Sequence, residues 1–295
     1  MRKAILLAAC LAAMSFGAQG EDCRLIRYGT MPMEIGQFGG ITVPIKVDDQ
    51  AQNMLVDTGG AFSMLNEAAA TRLNLSRNRL PFGTFMKGFG GRLLTHSVTA
   101  HTMEILGAKL RNHAFVLIPD DALPSGVDGL LSPDILQVFD VDFDFAAGKL
   151  SLFDQKHCEG KTVYWTQEPY AEIPFKMDEG WHIKIVVMLD GQEVPAILDT
   201  GASRSLMSLD TAEDIFKLDH AVLKANNNRY PFKTLTLQGV IVNNPDIILV
   251  PDEKSKIMGG YHQPKLLLGM GVLRQLHLYI AYKEHMIYVT AASAH

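Results

Sequence analysis

The chain repeats itself. Sliding the sequence along itself by 142 positions lays Tyr28 on Tyr170, Pro32 on Pro174, Ile41 on Ile183, Asp48 on Asp190 and Gln50 on Gln192, with no gap between positions 28 and 66. Asp57-Thr58-Gly59 then falls on Asp199-Thr200-Gly201, and Ser63 on Ser205. A second block, at a shift of 137, lays residues 129–136 over residues 266–273. A unit this long is no solenoid repeat, so two copies of one domain are expected. The expected organisation is a signal segment at 1–20, a first lobe at 21–158, a linker at 159–169 and a second lobe at 170–295.

Each copy reads mainly as β. Residues 41–47 and 183–189 are rich in β-branched and apolar side chains. Turn residues follow them, Asp48-Asp49 and Asp190-Gly191, and a return strand is expected from Gln192 to Leu198. Residues 150–153 and 286–289 read as closing strands. Short helices are expected at 66–75, 134–139, 210–216 and 272–276. Asp140, Asp142 and Asp144 alternate with Val141 and Phe143. A calcium loop of the EF type would need Gly and Glu where Phe145 and Ser151 stand, so the expectation is a strand with a wet acidic face.

Apolar residues make up 47% of the chain, enough for a sizeable core, and a net charge of −5 without a basic block argues against nucleic acid as a partner. Arg2 and Lys3 precede an apolar stretch from Ala4 to Phe16 and a small-residue site, Ala18-Gln19-Gly20. This reads as a secretion signal, expected to be cleaved after Gly20. Cys10 within it also has the makings of a lipobox, but that reading leaves only a short apolar core. No other stretch is long and apolar enough to span a bilayer. Removing the signal leaves Cys23 and Cys158, an even count that favours a disulfide in an exported chain.

A lone Asp-Thr-Gly turn arises by chance in roughly one chain in twenty. Here there are two, in matched surroundings, each after an apolar strand. A pseudo-twofold axis between similar lobes would bring Asp57 and Asp199 face to face. Two carboxyls that close share a proton and split their titrations, giving a base and an acid at one pH. Such a pair can deprotonate a water while protonating a peptide carbonyl. Thr58 and Thr200 are expected to brace the pair across the axis, and Gly59 and Gly201 to let the backbone turn closely beneath the carboxylates.

These residues resemble the aspartic peptidases, and most closely the bacterial retropepsin-like aspartyl proteases, over about residues 28–290. The resemblance implies a bilobal, mainly β fold with two β-barrel-like lobes and a central cleft. It implies Asp57 and Asp199 as catalytic residues, no cofactor and no metal. The substrate would be an extended peptide or protein, and the chain a monomer, periplasmic or secreted. A hydrophobic-hydrophobic-Gly element behind each aspartate is matched by Leu267-Leu268-Gly269, while Leu130-Leu131-Ser132 has Ser in place of Gly. Gly88-Phe89-Gly90-Gly91 sits where a glycine-rich flap should cover substrate, whereas residues 226–233, read as its counterpart in copy two, contain no Gly. Pepsins carry a hydroxyl after Asp-Thr-Gly. Gly60 and Ala202 stand there instead. The competing expectation is a non-catalytic peptide-binding protein on the same fold.

Overall fold

A computed structural model describes residues 23–36, 39–81, 84, 86–88, 91–219, 221, 223, 229–251 and 265–292. The expected signal segment, with Cys10, lies outside them.

The first hairpin of each copy is set by its side-chain alternation. Ile41, Val43, Ile45 and Val47 point inward along Ile41–Val47, as Ile183, Ile185, Val187 and Leu189 do along Ile183–Leu189. The two-residue turns have left-handed φ at both positions, 44° and 62° at Asp48 and Asp49, and 44° and 79° at Asp190 and Gly191. Such turns match the twist of the strands they join. Each turn aspartate is then used again. Asp48 accepts the Thr102 N–H at 2.7 Å, and Asp190 accepts the Lys233 and Thr234 N–H groups at 2.9 and 2.8 Å.

In copy one the sheet closes into a barrel. Its strands run Ile41–Val47, Gln50–Val56, Gly129–Leu131, Met64–Asn66, Ala108–Ile118 and His96–Ile105, and the last returns to the first through Lys46 opposite Glu104 and Val47 opposite Met103. In copy two the corresponding sheet curls, and its described strands form an open order. The long strand Ala108–Ile118 becomes two shorter ones, Val240–Asn243 and Ile247–Val250. Pro245 stands where copy one has His113, which pairs with Ala100. Proline has no N–H to give a ladder, so the strand breaks there.

This register corrects one expectation. Arg229 bridges Ile248 just as Ser97 pairs with Val116. The stretch 229–233 therefore follows the course of the long strand His96–Ile105, and is not the second copy's flap. Asn226, Asn227 and Asn228 lie outside the described residues.

The two copies meet in a six-stranded sheet, three strands from each, ordered Arg27–Pro32, Lys149–Phe153, Asp140–Asp144, Leu276–Ala281, Met286–Ala291, Ala171–Pro174. At its centre Asp142 lies opposite Tyr279, its own counterpart in the duplication, so the pseudo-twofold axis passes through that pair. One face packs on both lobes through Val141, Phe143, Leu278, Ile280 and Ile287. The other is covered by the connecting segment, with Val163 and Trp165 against Phe153, Tyr279 and Tyr288. Cys23 and Cys158 are bonded, clipping the first described residue to the end of copy one.

The acidic segment Asp140–Asp144 is a strand, as its alternation implies, but the face its aspartates share is not wet. Asp140 and Asp142 are buried. Asp140 accepts from His157 at 2.6 Å, the Tyr282 N–H at 3.1 Å and the Tyr279 hydroxyl at 3.3 Å. Asp142 accepts from His277 at 2.6 Å and from the Tyr164 hydroxyl. Alternation revealed which face the aspartates share, but could not reveal that the segment 157–165 folds over that face.

Candidate active site

Each Asp-Thr-Gly turn leaves the end of the second strand of its copy's first hairpin, Gln50–Val56 or Gln192–Leu198. The strand beside it fixes the exit. The Asp57 N–H donates to Leu131 O at 2.9 Å, and the Asp199 N–H to Leu268 O at 2.9 Å. The hydrophobic-hydrophobic elements thus hold the base of each turn in the same way, whether Ser132 or Gly269 follows.

The threonines lock the turns together. The Thr58 N–H donates to Thr200 Oγ1 at 3.1 Å and the Thr200 N–H to Thr58 Oγ1 at 3.0 Å. Each hydroxyl then donates across the axis, Thr58 to Leu198 O at 2.9 Å and Thr200 to Val56 O at 2.7 Å. Both threonines are fully buried. The result is a closed ring of four hydrogen bonds with no orphaned donor.

Above that ring the two carboxyls approach closely enough for each to act on the other, each lying against the glycine of the opposite turn. The glycines make the approach possible, though not only by permitting a turn. A Cβ on Gly59 would stand 2.5 and 2.6 Å from the oxygens of Asp199, and one on Gly201 would stand 2.5 Å from Asp57 Oδ1. Each glycine is therefore required by the opposite lobe's carboxyl. Within its own loop, Asp57 Oδ1 accepts the Gly59 N–H at 3.1 Å, and Asp199 Oδ1 accepts the Gly201 and Ala202 N–H groups at 2.9 and 3.0 Å.

Burial pushes both carboxyls up from the usual range. For Asp199 the charge of Asp57 adds to burial, and the shift is the larger. For Asp57 burial is opposed by the Asp199 carboxyl, the Gly59 and Gly60 N–H groups and the charge of His182. Burial and mutual repulsion thus favour a pair that holds one proton between its two carboxyls.

The flap stretch is partly described. Met86–Lys87 pairs antiparallel with Leu93–Leu94, the Gly88 N–H donates to Arg92 O at 2.8 Å, and the Gly91 N–H to Gly88 O at 3.0 Å. Gly91 has φ of 80°, which glycine adopts without strain. Leu94 anchors the hairpin base among Val116 and Ile118. Phe89 and Gly90 lie outside the described residues.

Three features escaped the sequence reading. His182, held by Asp178 at 2.9 Å, lies close enough for its charge to act on Asp57. Ser63 Oγ donates to Asp134 at 2.6 Å and accepts the Ser132 N–H at 3.0 Å. Ser205 repeats the second of these by accepting the Gly269 N–H at 3.1 Å. The alignment of Ser63 with Ser205 was the available signal. Among the described residues no group of three or more His, Cys, Asp or Glu side chains is placed to hold a metal ion.

A bilobal β fold with two Asp-Thr-Gly turns gripped across a pseudo-twofold axis defines the aspartic-protease architecture. The aspartyl protease family profile matches residues 43–135 and 185–272, which is most of both lobes, and the chain belongs to that family. Among solved structures it is similar to basic 7S globulin from soybean, at 10% identity and a TM-score of 0.53, over 92% of this chain and 95% of that one. It is also similar to conglutin gamma, a basic 7S globulin from lupine seeds, at 12% identity and a TM-score of 0.54, over 88% and 94%. At these identities the likeness is one of fold alone. No curated protein sequence matches.

Proposed function

We propose that the chain is an exported aspartic endopeptidase. The observation that carries this reading is the contact between Asp57 and Asp199. Two like acids held together in a shielded site cost stability, and a fold has no structural need of them. Asp57 acts as the base that takes a proton from a water lying between the carboxyls. Asp199 gives its proton to the carbonyl oxygen of the scissile bond as the water oxygen bonds to the carbon. The substrate is a peptide in extended form, added as a strand beneath the hairpin of Met86–Lys87 and Leu93–Leu94. One chain supplies both halves of the site, so a monomer suffices. The disulfide and the signal-like start of the sequence support export to an oxidising compartment.

The test is incubation of the purified protein with a mixed peptide library, wild type beside Asp57→Asn and Asp199→Asn. Each variant should lose at least about 10³-fold in turnover with its melting transition retained. Near-normal turnover in either variant would rule out the shared-water mechanism. A wild type that binds peptides without cleaving any would establish the binding protein instead.

A further inference from the structure

Ser132 is buried completely, and its hydroxyl makes no hydrogen bond. Its backbone is satisfied, with the N–H on Ser63 Oγ and the carbonyl accepting from Ile135 and Leu136 at 3.0 Å each. The side-chain oxygen is the anomaly. A buried hydroxyl with no partner costs about 1–3 kcal/mol, so its place asks for an explanation.

That place is beside the dyad. A Cβ on Gly60 would lie 2.8 Å from Ser132 Oγ and 2.8 Å from Asp57 Oδ2. The hydroxyl and the outer oxygen of Asp57 thus flank the same methyl-sized gap, which exists because residue 60 has no side chain. Copy two fills the gap differently. Ala202 stands at the position of Gly60, and Gly269 at that of Ser132. A Cβ on Gly269 would strike Arg204 O and stand 2.7 Å from Ala202 O. The Met270 N–H closes the copy-two loop onto Ala202 O at 2.8 Å. Pro133 occupies that place in copy one and has no N–H, so no equivalent closure forms. Three differences, Gly60, Ser132 and Pro133, therefore work together to admit one hydroxyl next to one aspartate.

We propose that Ser132 is a positioning residue for the dyad, its hydroxyl donating to Asp57 Oδ2 across Gly60, so that Asp57 is held as the ionised member and Asp199 as the protonated one. The Ser at the place of a family glycine is then an added donor, not a defect. A small turn of the side chain about its Cα–Cβ bond, or one intervening water, completes the contact. Only the catalytic consequence rests on the peptidase reading. The hydrogen bond itself does not.

The test follows the dyad carboxyls directly, by ¹³C NMR of aspartate-labelled protein titrated across the acid range. In Ser132→Ala the lower of the two dyad titrations should move up by about one pH unit, because a donor to the ionised form has gone. Ser132→Gly, which installs the copy-two residue, should do the same and serves if the alanine variant fails to fold. Gly60→Ser/Ser132→Gly moves the hydroxyl onto the Asp loop and should return the titration toward wild type. The acid limb of kcat/KM should follow the same shifts with KM unchanged. A titration unmoved by both single substitutions overturns the assignment, whatever the activity. A shift in a protein that cleaves no peptide would leave the assignment standing and remove the peptidase reading.

Discussion

Where the pseudo-twofold axis passes through the cleft, Asp57 faces Asp199; where it passes through the interlobe sheet, Asp142 faces Tyr279. The two crossings began alike, as equivalent positions of one repeated domain. In the sheet the duplication aligns Asp140 with His277, Asp142 with Tyr279 and Phe145 with Tyr282. Copy one keeps the acids, and copy two supplies donors to them: His277 to Asp142, and the Tyr279 hydroxyl and Tyr282 N–H to Asp140. In the sheet the acids of copy one therefore meet donors from copy two; in the cleft acid meets acid. There both copies carry the acid, and burial raises both carboxyls.

The same contrast runs outward from the axis. The threonine ring is symmetric bond for bond, whereas the described strands of the two sheets differ in closure. On the outer face, Lys46, Glu104 and Lys109 form a charged row with contacts of 3.6 and 3.4 Å. Copy two has Met188, Thr236 and Ile241 at the equivalent places, in the same register. Equivalence holds where both copies must touch the same point and lapses where each faces water alone.

The comparison can be broken in several ways. The disulfide belongs to copy one alone, since copy two contains no cysteine. It closes a span of 135 residues. Replacing Cys23 and Cys158 with Ser should lower unfolding stability by about 5 kcal/mol in the chain-entropy limit. A urea titration with an unchanged midpoint would mean that copy one needs no clip. The threonine ring makes a sharper demand. Thr58→Val strands the Thr200 N–H and the Leu198 carbonyl, and Thr200→Val strands the Thr58 N–H and the Val56 carbonyl. Each should cost about 3 kcal/mol. Calorimetry giving costs that differ by more than about 1 kcal/mol, beyond the usual scatter between independent sites, would break the symmetry at the one place where it looks complete.

Stability against pH separates the two crossings. Burial raises the Asp140 carboxyl to about 6, against the attraction of His157. Because the folded value lies above the unfolded one, the folded state holds an extra proton between about pH 4 and 6, and stability falls as pH rises through that window, by up to about 3 kcal/mol. His157 is also raised, burial being outweighed by Asp140, the Cys158 carbonyl and Glu284. Its contribution is present at low pH and lost as pH rises through its folded value, so the two effects have the same sign. Asp178 acts oppositely. Lys184 and His182 hold it at about 2 despite some burial, and its contribution is lost only as pH falls toward that value. Melting temperature should therefore be higher in mild acid than at neutrality. Asp140→Asn should remove the sheet's part of the slope and leave the dyad's part, which also falls with rising pH. A slope unaffected by Asp140→Asn would place all the pH dependence in the cleft. The smallest effect belongs to the outer rows. Lys46→Met and Met188→Lys should each change stability by less than about 0.5 kcal/mol, because both positions lie on the exposed face of the sheet. A larger change in thermal scans would mean that one row is buried against something in solution.

The sequence by itself determined the elements nearest the repeat. Ile41–Val47, Ile183–Leu189 and Gln192–Leu198 have the bounds that their alternation and turn residues imply. The aligned Asp-Thr-Gly turns announced the dyad, because a duplication can bring equivalent residues together on an axis. Helices were legible and their ends less so: the segment expected at 66–75 is helical only over Glu67–Arg72, with Asn66 as its cap. What the sequence could not supply was anything set by residues distant along the chain. The connecting segment, polar to the eye, lies over Asp140 and Asp142 and makes them part of the interior. The flap counterpart shifted because register is set by strand pairing, not by counting from a motif. Ser132 looked like a lapse from a pattern until the gap over Gly60 placed it beside Asp57. Local patterning fixes which face a residue shares, but burial, partners and charge state depend on what the rest of the chain packs against that face.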